Sequence, residues 1–424
     1  MESLIINSGH IAVVAIAFVA VWWLSRSPRF TRLYWPAVLI GSALIATGLF
    51  FVTDPSQAFD DFRRAYWEAG VASWQGRGGF DALYARGTDG FVNLPIIAWL
   101  FSPFGLVGST HAALIFTALG VMAVLAGWLL LSDLLELGRR EKGLLLVAIA
   151  AFGPMIYSVR EGNVSHFLFA SIVLALLDVR SGREIRAGVL FGLAALLKPP
   201  LILIGVYFLL RRRWRLVCGG AATIAGVTLA SLAIYGWYLH TVWYETVIAP
   251  YAAGPTPAFN VQSLPAFVLR QELGVASYLD WTPHALSAAG RILSALLAFA
   301  LAILCVWAAV RRGEWKRVSH DAVGIEIMMV VAFACLVSSL TWSHYYVWLL
   351  PAYAMAWTQG RDVWRWVAAG AFGLSMFAEF MSWQMKTGAF GPFSNLLTSH
   401  LLIGGLALMA CLVVLRVRVG GRAA

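Results

Sequence analysis

Charge is scarce in this chain: 12% of its 424 residues are Asp, Glu, Lys or Arg, while 60% are apolar. A soluble domain of this length carries about 25% charged residues, so a soluble fold is excluded. Cysteine is scarcer still. Cys218, Cys305, Cys335 and Cys411 all fall inside apolar runs, which leaves neither a disulfide framework nor a thiolate metal site and makes them small buried side chains. No internal repeat of the transporter type is evident. Neither a cleavable leader nor a separate soluble domain is expected.

What the chain has instead is apolar runs of roughly 17 to 25 residues recurring along its whole length, the thickness of a hydrocarbon core. The expectation is an all-α polytopic membrane protein, one integral domain over 1–424. The net charge of +10 does not indicate nucleic acid, because the basic residues gather in short gaps: Arg26/Arg29/Arg32, Arg139/Arg140/Lys142, Arg180/Arg183/Arg186, Arg211 to Arg213 with Arg215, Arg311/Arg312/Lys316/Arg317, Arg361/Arg365 and Arg416/Arg418/Arg422. The positive-inside rule assigns these seven gaps to the cytoplasm. The opposite face carries Asp54, Asp60, Asp61, Glu68, Asp81, Asp89, Glu161, Glu245, Glu272 and Asp280. Functional carboxylates are sought there.

Alternation between the two faces predicts about eleven full spans near 10–25, 35–52, 111–136, 143–158, 164–179, 216–237, 285–310, 322–341, 345–358, 364–384 and 395–415. The N-terminus is then outside and the C-terminus cytoplasmic. Residues 187–210 lie between two basic gaps that belong to the same side, and their centre is Lys198-Pro199-Pro200. Proline removes a donor and pushes the preceding residue out of helix. A helical hairpin with Lys198 at its apex satisfies both facts, for 12–13 membrane helices; a single kinked span with a snorkelling lysine is the plainer alternative.

Two outer loops are long, 53–91 and 238–284, and loops of that length are usually functional. The first opens with the adjacent acids Asp60-Asp61 and runs through Arg63, Arg64, Tyr66 and Trp67. An apolar stretch from Ile96 to Val107 follows, suited to the interface. Other polar groups join the same face: Arg160-Glu161-Gly162-Asn163 between two spans, Lys198, then Asn260, Gln262, Ser263 and Arg270, and the turn Trp342-Ser343-His344-Tyr345. A carboxylate can take a proton from a sugar hydroxyl, and Arg, Lys or His at the boundary can bind a phosphate whose lipid tail lies in the bilayer. That chemistry suits a glycosyltransferase using a polyprenyl-phosphate sugar.

Five segments carry a family resemblance: Asp61-Phe62 with Tyr66, Trp67 and Ala69-Gly70; Gly162-Asn163; the Gly-spaced run from Ala187 to Lys198-Pro199; Asn260 to Arg270; and Ser339 to Pro351 with Trp342 and His344. Together they resemble glycosyltransferase family 87, GT-C enzymes that include polyprenyl-phosphate-mannose-dependent mannosyltransferases. The chain departs from that pattern in having Asn93-Leu94-Pro95 where the family often has Tyr-Pro-Pro. The resemblance implies a GT-C fold in the cytoplasmic membrane of a bacterium, and inverting transfer of a hexose, with mannose the preferred reading. The sugar passes to a glycolipid or glycan hydroxyl on the extracytoplasmic face.

By the same resemblance Asp61 is the better match for the catalytic base, with Asp60 its helper or rival. His344, Lys198 and Arg270, backed by Arg160, Arg63 and Arg64, are candidates for the donor phosphate. Tyr66, Trp67, Asn163, Asn260, Gln262, Ser263, Trp342 and Tyr345 are assigned to sugar or acceptor, with Trp281 a further aromatic on that face. No cofactor or metal is called for, since adjacent acids diverge and the phosphate needs only charge neutralisation.

Each assignment has a plainer counterpart. Asp60-Asp61 can cap a helix, His344 can bond backbone, and Arg160 and Arg270 can pair with Glu161 and Glu272. Two other classes compete: a transporter or flippase of a lipid-linked or anionic solute, and a structural subunit of a glycan assembly complex.

Overall fold

In the computed structural model the described residues are 2–26, 32–51, 58–311, 319–376 and 391–419. Their secondary structure is helical, and one isolated antiparallel bridge, Val261 with Trp342, is the extended pairing among them. Apolar surroundings supply no partners for backbone groups, so each apolar run closes its own hydrogen bonds as helix.

Helices α1 (Glu2–Arg26) and α2 (Tyr34–Phe51) lead into a region of short elements made of a π-helix (Phe62–Trp67), α3 (Glu68–Gln75), α4 (Arg77–Tyr84) and the 3-10 turns Pro95–Phe101 and Phe104–Leu106. A second body of helix follows: α5 (Ser109–Leu134), α6 (Arg139–Ala151), α7 (Gly153–Glu161), α8 (Ser165–Arg180), α9 (Glu184–Leu197), α10 (Ile202–Leu210) and α11 (Trp214–Trp243). The second long loop holds α12 (Ala249–Ala253) and α13 (Leu264–Leu273). The chain then runs through α14 (Ala288–Val310), α15 (His320–Val337), a 3-10 turn over Ser343–Leu349, α16 (Leu350–Gln359), α17 (Val363–Ser375), α18 (Ser394–Thr398) and α19 (His400–Val419).

Among the described residues five helical runs are long and apolar enough to cross a bilayer: α2, α5, Trp214–Ala253, α14 and α19. The pair α6 and α7, bent by 56° where Phe152 precedes Gly153-Pro154, makes a sixth. Eleven full spans is therefore finer than the helix lengths support. The stretch 143–158 is two helices, 322–341 ends as helix at Val337, and 345–358 is a 3-10 turn continued by the ten-residue α16. The part of 364–384 beyond 376, and with it Arg29, Asp54, Arg312, Lys316, Arg317 and Arg422, lies outside the described residues.

Helix α9 runs parallel to α11, because Gly188 sits against the Leu216 carbonyl and Gly192 would bring a Cβ to 2.8 Å from the Gly220 carbonyl. Side-chain-free contacts of this kind let backbones approach where no hydrophobic effect drives association. Between them α10 returns. Phe208 packs on Phe191 with ring centroids 5.6 Å apart, and Arg213 pairs with Glu184 at 2.6 Å, so both ends of the α9–α10 segment meet at its base with Lys198 at the far end.

The basic gaps share that base end. Arg180 binds Glu136, Arg183 and Arg186 hold the buried Asp178 carboxylate at 2.7 and 2.5 Å, and Arg211 and Arg416 both bind the buried Glu326, which also accepts from the Tyr207 hydroxyl at 2.6 Å. Positive gaps far apart in sequence thus gather at one end of the bundle, and the candidate site lies toward the other. The architecture is that of a multi-pass membrane protein.

Candidate active site

The first outer loop enters through Phe59, whose backbone is left-handed (φ 68°) and whose N–H donates to the Arg160 carbonyl at 2.6 Å. That link stitches the loop onto the turn between α7 and α8. Gly162, at the end of α7, adopts φ 69°, and a Cβ there would come within 2.5 Å of the Phe62 Cβ. A residue with no side chain is needed for both reasons. Asp61 precedes the π-helix as its N-cap residue but makes no capping bond. Its Oδ2 instead accepts from Asn163 Nδ2 at 2.9 Å. π-Turns recur at functional sites, and this one is fixed by Phe62 packed on Phe116 and by Tyr66 stacked on Phe101 at 4.6 Å.

Lys198 is at the apex between α9 and α10. Pro199 forces it into an extended conformation (φ −139°, ψ 94°), and the Leu197 carbonyl beside it accepts from Asn93 Nδ2 at 2.8 Å. The side chain is buried, with Nζ 4.7 Å from the Tyr345 ring centroid. Asp61 and Lys198 are close enough for each charge to act on the other. Burial raises the Asp61 carboxyl, and the Asn163 bond and Lys198 draw it back. Burial lowers the Lys198 ammonium to about 8, with Asp61 opposing.

His344 completes this group. It is buried, neither ring nitrogen has a hydrogen-bond partner among the described residues, and its ring lies 6.0 Å from Tyr157 and 5.1 Å from Tyr345. Burial first, then the charges of Lys198 and His166, hold its imidazole well below the usual histidine range, so it stays neutral. The Asn260 amide reaches the same corner, donating to Tyr157 Oη at 3.3 Å and accepting from Trp281 Nε1 at 3.1 Å.

Other predicted residues are placed elsewhere or held by the scaffold. Arg270 is fully buried: its guanidinium donates to the carbonyls of Pro257, Ala258 and Val261, to Asn395 Oδ1 at 2.9 Å and to Ser399 Oγ at 2.9 Å. Gln262 bonds the carbonyls of Phe259 and Thr398. Ser263 caps α13, Trp342 pairs its backbone with Val261, and Trp67 donates to the Val107 carbonyl at 3.0 Å. Asp60 pairs with Arg64 on an exposed surface, Arg63 sits beside Phe59, and Arg160 lies 3.8 Å from Glu161. Glu272 accepts from Ser287 rather than from Arg270.

Three groups went unnoticed in the sequence. Ser165 donates twice to Asn163 Oδ1, Ser158 accepts the Asn163 N–H at 2.8 Å, and Tyr157 links Asn260 to the His344 ring. Their signal was position alone: all flank the Arg160–Asn163 turn.

The arrangement brings together one carboxylate with an anchored oxygen, one ammonium and one neutral imidazole, with Tyr345 beside both Lys198 and His344. Such a set can accept a proton and neutralise a phosphate.

The model of glycosyltransferase family 87 matches residues 91–339. This stretch contains Asn163, Lys198 and Asn260, while Asp61 and His344 lie outside it. Among curated relatives, the chain is 31% identical over 194 residues to a polyprenol-phosphate-mannose-dependent alpha-(1-2)-phosphatidylinositol mannoside mannosyltransferase of Mycolicibacterium smegmatis, covering 45% of this chain and 41% of that one. It is 25% identical to the corresponding phosphatidylinositol pentamannoside mannosyltransferase of the same organism, covering 85% and 86%. A Mycobacterium tuberculosis phosphatidylinositol mannoside mannosyltransferase is 26% identical, over 62% and 60%. The chain thus spans less than two thirds of the length of two of these three relatives.

Proposed function

The chain belongs to glycosyltransferase family 87, and from that premise we propose that it transfers mannose from a polyprenyl phosphate to a hydroxyl of a glycolipid, with phosphatidylinositol mannosides the first acceptors to try. The acceptor class follows the printed names of the relatives. The observation that carries the reading is the Asp61 carboxylate, recessed, bound on one oxygen by Asn163 and set against Lys198.

In the proposed reaction Asp61 Oδ1 takes the proton of the acceptor hydroxyl as that oxygen attacks the anomeric carbon. The bond from that carbon to the phosphate oxygen breaks, its electron pair leaves with the polyprenyl phosphate, and the anomeric configuration inverts. The leaving group needs no proton, only compensation of its charge. Lys198 supplies a cation and His344 a neutral N–H donor, both in a buried setting where such contacts count for more than in water. Tyr66, Tyr345 and Asn260 line the space for sugar hydroxyls. No divalent ion enters the scheme, because Asp60 and Asp61 turn apart to separate partners. The positive gaps support a site on the extracytoplasmic face of a bacterial cytoplasmic membrane.

The test is transfer in proteoliposomes containing polyprenyl-phosphate mannose and a phosphatidylinositol mannoside, read by mass spectrometry of the lipids. Product is expected from the intact chain, with and without excess chelator. General-base assistance contributes about 10² to 10⁴ in rate, so Asp61→Asn should lose at least 100-fold. Full turnover by a folded Asp61→Asn variant refutes the base assignment. Movement of the lipid-linked sugar across the bilayer with no product points to a transporter instead.

A further inference from the structure

Asn163 is only 4% exposed, and its amide oxygen, its amide nitrogen and its backbone N–H all have partners. Its Nδ2 donates to Asp61 Oδ2 at 2.9 Å. Its Oδ1 accepts from the Ser165 N–H at 3.1 Å and from Ser165 Oγ at 2.9 Å. Its own N–H donates to the Ser158 carbonyl at 2.8 Å. Two donors converge on one end of the amide, so that end is the oxygen, and turning the amide over would set an NH₂ group against two N–H and O–H donors. The orientation toward Asp61 is therefore fixed from behind by Ser165, at the first turn of α8.

The backbone reinforces this. The Phe59 N–H bonds the Arg160 carbonyl, and Gly162 lets Phe62 close over the turn. Asp61 and Asn163, 102 residues apart, are brought together by two elements that also bond each other directly.

We infer that Asn163 is a positioning residue for the proposed base: it holds Asp61 Oδ2 and leaves Oδ1 as the proton acceptor. The inference rests on the reading of Asp61 given above and goes beyond a sugar-binding role for Asn163, because one amide hydrogen is committed to Asp61 and the amide oxygen is committed to Ser165. A neutral donor on a carboxylate favours the charged form, opposing the burial that raises it. Ser165 acts one step further back.

The test is the pH dependence of kcat for intact chains in proteoliposomes, with folding checked by thermal unfolding. Asn163→Ala is expected to lower kcat about 10- to 100-fold, the usual worth of a hydrogen bond to a charged group, with the donor KM unchanged. Its acid limb should move up by about one pH unit. Asn163→Asp should move the limb further, since a second carboxyl then competes for the charge. Ser165→Ala, which removes the hydroxyl donor to the amide oxygen and keeps the backbone one, should show a smaller shift of the same sign.

A merely structural asparagine would lower the amount of folded enzyme or its rate and leave the limb where it is. The inference is overturned if the folded Asn163→Ala and Ser165→Ala variants both keep the wild-type limb while Asp61→Asn is inactive, and in that case the base assignment survives alone. Full activity of Asp61→Asn overturns the base assignment and this inference together.

Discussion

Asp60 and Arg64 form an ion pair of 3.2 Å one helical turn apart, with 44% and 64% of their side chains exposed. Asp61, the next residue, turns inward to Asn163. Neighbouring acids of like chemistry thus sit in different surroundings. An exposed pair contributes about 0 to 1 kcal/mol. Asp60→Asn is expected to keep turnover within about threefold of wild type, set against the loss at Asp61→Asn. A deficit as large as that of Asp61→Asn transfers the base role to Asp60.

Turnover should follow a bell-shaped pH profile. Asp61 works deprotonated and burial raises its carboxyl above the ordinary 3.8, so activity falls, as pH drops, at a higher pH than for a solvated aspartate. Lys198 works charged, and burial brings its ammonium down to about 8, so activity falls again as pH rises through that value. Lys198→Arg keeps the charge to high pH and should abolish the alkaline limb near 8. An unchanged limb in that variant assigns it to another group. Because the His344 imidazole is already neutral, no limb of its own is expected between the two.

Arg270 provides the third case. All three of its guanidinium nitrogens donate to carbonyls of the second long loop or to Asn395 of α18 and Ser399 just beyond it, a fork that an ammonium cannot reproduce. Arg270→Lys should cost about 3 kcal/mol or more, since several buried acceptors lose their donor, and would be seen as an earlier unfolding transition in detergent. The donor KM of the folded fraction should not change. A raised KM at unchanged stability instead gives Arg270 the phosphate-binding role that its position in the sequence suggested.

The sequence carried the helical membrane class in its apolar runs and the charge separation in its gaps. Asp61, Lys198 and His344 converge through elements that are nearly three hundred residues apart in numbering, and each carries a local signal: an acid ahead of aromatics, a lysine before two prolines, a histidine in a tight turn. Periodicity did not carry the helix lengths. Pro154 and Pro351 lie within apolar stretches that read as single spans, yet each opens a new helix after a bend or a 3-10 turn. Nor did it carry the commitments of Arg270 and Gln262, which depend on carbonyls exposed by the irregular backbone around 257–262. A polar residue near a site looks the same in sequence whether it faces substrate or a neighbouring strand of chain.

The lengths of its two arms decide how the α9–α10 hairpin carries Lys198. With 14 and 9 residues, its arms are about 21 and 14 Å long, well short of a roughly 30 Å hydrocarbon core. Neither arm alone has the length of a full crossing. The Glu184–Arg213 pair ties the two arms at their base, with Lys198 at their shared tip. Asp61, well over a hundred residues earlier in the chain, supplies the opposing charge at that tip. Lys198 thus reaches Asp61 from the tip of two short arms rather than from within one continuous span.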